Sequence, residues 1–218
     1  MNFSKLMMGL PLVILMACDV PTTSTPAQNE AKFRALDAVA GTRTVVTGKS
    51  PLGPSARTMM KEFRDSGVYH GALAVPAGID GAAWWNGMSS LENSTKAALA
   101  ECEWVYRTTS CTLHAVTVPV DANGQQLTNV NHSAEAAETL VQMYRETDAG
   151  QFGALAETEF GVWWASWNYD SLEEAKAAAL AGCERTNLQA RSSLDPGLYA
   201  VIEAVLDMNC KVTITFSP

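Results

Sequence analysis

Five cysteines, six tryptophans and three histidines are the residues whose chemistry could define a site in this 218-residue chain. Four of the cysteines, Cys102, Cys111, Cys183 and Cys210, stand as two equivalent pairs, one member ending an Ala-rich run and the other opening a β-branched run. An even set in an oxidising compartment pairs, and of the three possible connectivities the internal repeat set out below selects Cys102 with Cys111 and Cys183 with Cys210. No Cys-x-x-Cys occurs, so the spacing argues for structural bridges over dithiol redox chemistry. Trp84, Trp85, Trp163, Trp164 and Trp167 concentrate in two corresponding runs. Neighbours on a strand face opposite ways. That predicts one indole of each pair beneath the helices and the other directed outward, where it could stack on a sugar ring or a protein partner. Core packing is the competing reading, since small domains need large apolar side chains.

The remaining candidates are weaker. His70, His114 and His132 share no His-x₃-His spacing, so no metal site is predicted. Glu157 and Glu159 would lie on one face of a strand without an evident partner. There is no Gly-x-Ser-x-Gly, Walker-type or dinucleotide fingerprint, and the other carboxylates gather at helix starts, where the macrodipole accounts for them. Neither a cofactor nor catalysis is expected. Lys and Arg number 15 against 23 Asp and Glu, a net charge of −8. The basic residues form no stripe, which argues against nucleic acid as a partner.

At the N-terminus, Met-Asn-Phe-Ser-Lys5 followed by an apolar stretch from Leu6 to Ala17 has the layout of a secretory signal. The stretch is interrupted by Pro11 and is well short of the roughly 20 residues a membrane span requires. Leu15-Met16-Ala17-Cys18 resembles the bacterial lipobox. That resemblance implies cleavage after residue 17, acylation of Cys18, and a chain anchored by lipid in the cell envelope and facing the periplasm; an ordinary signal peptide with an incidental cysteine is the alternative. Asp19 resembles an inner-membrane retention signal, and the choice between inner and outer membrane stays open. Losing residues 1–17 removes one lysine and no acid, taking the net charge from −8 to −9. Residues 19–30 combine Pro, Thr and Ser without an aromatic and read as flexible. Residues 18–54 are therefore assigned to the lipidated cysteine and a tether, with a short helix over Ala31–Ala40 and a short strand over Thr42–Thr47.

Beyond Pro54 the chain repeats itself. Thr58-Met59-Met60-Lys61-Glu62-Phe63-Arg64 matches Thr139-Leu140-Val141-Gln142-Met143-Tyr144-Arg145, Gly71-Ala72-Leu73-Ala74 matches Gly153-Ala154-Leu155-Ala156, and Ser90-Leu91-Glu92 to Cys102 matches Ser171-Leu172-Glu173 to Cys183, at an offset of 81 or 82. Met59, Met60 and Phe63, like Leu140, Val141 and Tyr144, fall on one helical face. Tyr69–Val75 with Ala82–Gly87, and Phe152–Thr158 with Val162–Asn168, read as hairpins around Gly-rich turns. Ser89 with Glu92, and Asp170 with Glu173, have capping-box spacing ahead of Ala-rich helices. β-Branched strands from Cys111 and Cys210 close each unit. The second cysteine pair is 18 residues further apart than the first, and Asp195-Pro196 followed by Leu198, Val201, Ile202, Val205 and Leu206 predicts an inserted amphipathic helix.

Each copy, through its Gly-Ala-Leu-Ala opening, aromatic strand, Ser-Leu-Glu helix start, Ala-rich helix ending in Cys and second Cys opening a strand, resembles small exported bacterial domains grouped as domain of unknown function 4189. The resemblance covers residues 69–118 and 152–216 and implies no known activity. The leading helices, doubled tryptophans and insertion depart from that group.

The expected protein is thus α+β: two tandem α-β-β-α-β units (55–120 and 133–218, joined by a linker over 121–132), with small antiparallel or mixed sheets packed by Ala-rich helices. It is expected to act by binding an envelope protein or peptidoglycan, or else as a structural accessory of the envelope. A hydrolase is the remote alternative.

Overall fold

The computed structural model describes residues 26–217. The signal segment, Cys18 and the start of the tether lie outside the described residues.

The fold is α+β. The first copy contributes α2 (Pro54–Asp65), β2 (Gly71–Pro76), β3 (Ala83–Trp85), α3 (Leu91–Tyr106) and β4 (Cys111–Val120). The second contributes α4 (Ala134–Glu146), β5 (Phe152–Glu157), β6 (Trp163–Tyr169), α5 (Leu172–Ser193), the inserted α6 (Pro196–Glu203) and β7 (Lys211–Phe216). One helix and one strand, α1 (Pro26–Asp37) and β1 (Gly41–Val46), precede the first copy. Every strand pair is antiparallel, in two separate sheets ordered β1-β4-β2-β3 and β6-β5-β7.

The Gly-Ala-Leu-Ala strand explains the layering. Side chains alternate across a strand, so Leu73 faces α2 together with Met60, Phe63 and Ala115, while Ala72 and Ala74 face α3. In the second copy Leu155 joins Leu140 and Met143 of α4, and Ala154 and Ala156 meet Ala175 and Ala179 of α5. Each sheet is therefore clamped between a leading helix packed through large side chains and an Ala-rich helix that comes close because both surfaces are small. Disulfides Cys102–Cys111 and Cys183–Cys210 pin the Ala-rich helices to the sheets, with Cα separations of 6.1 and 6.0 Å, in the usual range.

Three local expectations change. The helix caps fall one residue later than the proposed boxes. Ser90 accepts from the Asn93 N–H and Ser171 from the Glu174 N–H; in the first copy the Ser89 hydroxyl is drawn off to the Glu159 carbonyl of the other copy. Within 18–54, the short helix and short strand expected over 31–40 and 42–47 are present as α1 and β1, and both are packed rather than part of a flexible tether: Phe33 and Leu36 of α1 enter the second copy's core, with Phe33 stacked on Tyr144 at 4.1 Å, while β1 pairs with β4 of the first copy. The linker over 121–132 is not loose either, since Asp121 organises a turn and Val130 is buried in the second core.

The two copies interlock. The inserted helix is N-capped by Asp195 and buries Ile202, with Leu206 and Met208, against Met88 and Ala97 of the first copy. Gly161, at φ +88°, brings the β5–β6 turn so close to the Gly87 carbonyl that a side chain there would collide with backbone.

Candidate functional site

Among the described residues β6 is an edge strand: β5 pairs with one side of it and no strand pairs with the other. Its sequence, Trp-Trp-Ala-Ser-Trp-Asn-Tyr, supplies large side chains to both faces. Trp163 turns toward α4 and is half-buried against the second core together with Ala165. Trp164 turns toward α5 and lies flat over Gly182, where a Cβ would overlap its ring. The Arg185 guanidinium stands 5.8 Å from the Trp164 ring centroid, a cation–π distance. A register shift beyond Ala154, with Asn168 at φ +61°, forms a bulge that carries Trp167 out at the far end. Trp164 is 44% exposed and Trp167 37%.

Between the helices that cover the two faces of this sheet, the edge of β6 becomes the floor of a groove of about 490 Å³. Glu135 and Thr139 of α4 form one wall, Thr186 of α5 the other, and Trp163, Trp164 and Trp167 line the groove together with Val162 and Ala165. Concave, mainly apolar space with a few polar groups is what a ligand site requires.

The first copy's indoles do not form a corresponding platform, contrary to the sequence expectation for Trp84 and Trp85. Both are half-buried. Trp84 packs edge-on to Phe63 of α2 at 6.0 Å, and Trp85 to Phe160 at 5.2 Å. Phe160 comes from the β5–β6 turn of the second copy, so the docking of one copy on the other closes over Trp85, while Trp84 is covered by its own copy's α2.

The titratable groups are engaged in structure. Glu157, buried at the end of β5, accepts from the Ser133 backbone N–H at 3.0 Å and lies 2.9 Å from His132 Nδ1. It thereby holds the start of α4, as Asp80 holds the start of α2 through the Ser55 and Ala56 N–H groups; those bonds keep the Asp80 carboxyl below its usual range. The His132–Glu157 contact was not foreseeable, as its members stand 25 residues apart without a motif. Glu159 leaves the strand and accepts from the Asp207 N–H at 2.8 Å, so the two acids expected on one strand face serve different elements. His70 is buried with neither ring nitrogen hydrogen-bonded. Burial lowers its pKa to about 4; the Val130 backbone opposes the shift without reaching hydrogen-bond geometry. His114 is buried beside Gly48. No group of three or more His, Cys, Asp or Glu side chains among the described residues could hold a metal ion.

Comparison with family models, with curated proteins and with solved structures finds no match. The resemblance of each copy to the exported domain group therefore rests on its motifs alone. Among the described residues no helix is long and apolar enough to cross a membrane.

Proposed function

We propose that this chain is a lipid-anchored, non-catalytic binding module of the bacterial cell envelope, held by Cys18 and facing the periplasm, that takes a protein or cell-wall ligand into the β6 groove. The observation that carries this reading is the asymmetry between the copies. Two copies place paired indoles at the same point of the same strand; in the first, Trp84 and Trp85 pack against Phe63 and Phe160, whereas in the second Trp163 is half-buried and Trp164 stays open, beside the additional Trp167, at the mouth of a cavity. Leaving two indoles exposed in one groove forgoes burial that would stabilise the fold by about 25 cal/mol per Å² of apolar area, a loss that a ligand surface explains. The signal-like N-terminus and the two disulfides support an oxidising, exported location.

The test is acrylamide quenching of tryptophan emission on the exported full chain carrying Cys18→Ser, followed by titration with soluble peptidoglycan fragments and with peptides. Trp164→Ala and Trp167→Ala are expected to remove most of the quenchable signal, and a bound ligand to protect what remains in the parent protein. Uniformly protected indoles that respond to neither class of ligand would leave the structural-accessory reading in its place.

A further inference from the structure

We propose that the β6 groove takes an extended polypeptide segment, which adds as a fourth strand to the second sheet; this rests on the groove being the binding site. The phase of the β5–β6 ladder supplies the first reason. The Thr158 N–H donates to the Val162 carbonyl at 2.8 Å, and the register then runs through Ala156 opposite Trp164 and Ala154 opposite Ser166. In an antiparallel pair hydrogen-bonded positions alternate with those that point away. Trp164 and Ser166 thus bond inward to β5, while Trp163 and Ala165 turn their N–H and C=O groups outward into the groove. Among the described residues no strand pairs with this side of β6, and no loop or turn backbone bond reaches these four groups. Two donors and two acceptors at a two-residue repeat match the main chain of another strand, which satisfies all four at once. A glycan offers ring faces for the indoles but no such ladder.

The second reason is that the edge lacks protection. Exposed edges are normally guarded by Lys, Pro, inward-pointing charge or a bulge, yet β6 contains no charged residue and no proline, and its bulge lies beyond Ser166, leaving the 163–166 edge unguarded. The walls instead fit the alternating side chains of an incoming strand, with Trp163, Thr139 and Glu135 on the α4 side and Trp164 and Thr186 on the α5 side. Charge complementarity narrows the partner. Arg185 is committed over Trp164, so Glu135 is the charge that the α4 wall offers, on a protein of net charge −8. The segment that fits is short and extended, with apolar side chains and a Lys or Arg on the α4 side. The bulge at Trp167–Asn168 ends the usable edge.

Phage-displayed decapeptides selected on the exported, oxidised full chain carrying Cys18→Ser provide the test. The enriched peptides are then resynthesised with single backbone N-methyl groups at successive positions. Strand addition predicts that affinity falls roughly tenfold or more at alternate positions and little at those between. Ala165→Pro removes one outward N–H at an edge where proline is tolerated, and it should weaken binding to a similar degree; should that variant not fold, the N-methyl scan on the parent chain decides. Failure to enrich peptides whose binding changes the Trp164 and Trp167 emission, or a scan without period-two alternation, overturns strand addition. A groove that responds to glycan strands lacking stem peptides and to no peptide also overturns it, while leaving the groove as the binding site. Indoles silent to both would remove the binding reading itself.

Discussion

Replacing Gly182 by alanine tests whether Trp164 lies where the groove requires it. In the interior of a helix such as α5, alanine ordinarily stabilises relative to glycine by about 1 kcal/mol, through backbone entropy. At this position the added Cβ would overlap the Trp164 ring, and overpacking of that kind destabilises by about 1–3 kcal/mol. The two effects oppose each other, so Gly182→Ala is expected to be neutral to destabilising by up to about 2 kcal/mol in the parent chain. Once Trp164→Ala has removed the ring that supplies its three nearest contacts, the same methyl should stabilise by the propensity difference of about 1 kcal/mol. Urea denaturation of the four members of the cycle gives the coupling directly, expected at about 1–3 kcal/mol. Gly182→Ala that stabilises equally in both backgrounds would show that the indole does not rest on α5, and the α5 wall of the groove would fall with it.

Three further outcomes follow from the same structure. His70 is held at a pKa of about 4 against an ordinary 6.5, so its unfolded form binds the proton first; stability should be full above pH 6.5, fall as pH drops from 6.5 to 4, and lose about 3 kcal/mol in all. His70→Asn, which tolerates the positive φ at that position, should flatten that segment of the stability–pH curve, and an unchanged slope would refute the assignment. Removing the disulfides as pairs, Cys102→Ala with Cys111→Ala or Cys183→Ala with Cys210→Ala, should cost about 2.5 and about 3.5 kcal/mol respectively, the longer loop more; equal midpoint shifts in denaturant would contradict the loop-closure account. Ile202→Ala, at a fully buried position of α6, should cost about 2–5 kcal/mol and raise amide exchange in α3 of the first copy as well as in α6. Exchange confined to α6 would mean the insertion does not brace the other copy.

Much of the fold was legible in the sequence because it depends on local period and spacing. The offset repeat, the alternation in Gly-Ala-Leu-Ala and the Ala-rich runs ending in cysteine are properties of short segments, and they led to the element order and to the disulfide partners seen here. The inserted helix was equally plain, since Asp195 and Pro196 form its start whatever surrounds them. The caps were misplaced by one residue because Ser89 and Ser90 are equivalent by type; only the contact of Ser89 with the Glu159 carbonyl distinguishes them.

By itself, then, the amino-acid order determined a duplicated α+β chain, its bridges and the strand on which the tryptophans gather. Which tryptophans are open was decided by tertiary structure alone. The Trp-Trp pattern is the same in both copies, but Phe160 reaches Trp85 only when the second copy docks on the first, and no segment of the described chain returns that cover to β6. The same holds for His132 beside Glu157, and for α1 and β1, which belong to different copies although they are adjacent in sequence. Such pairings depend on long-range contacts whose energy comes from burial and shape rather than from local periodicity, and local sequence therefore carries no trace of them.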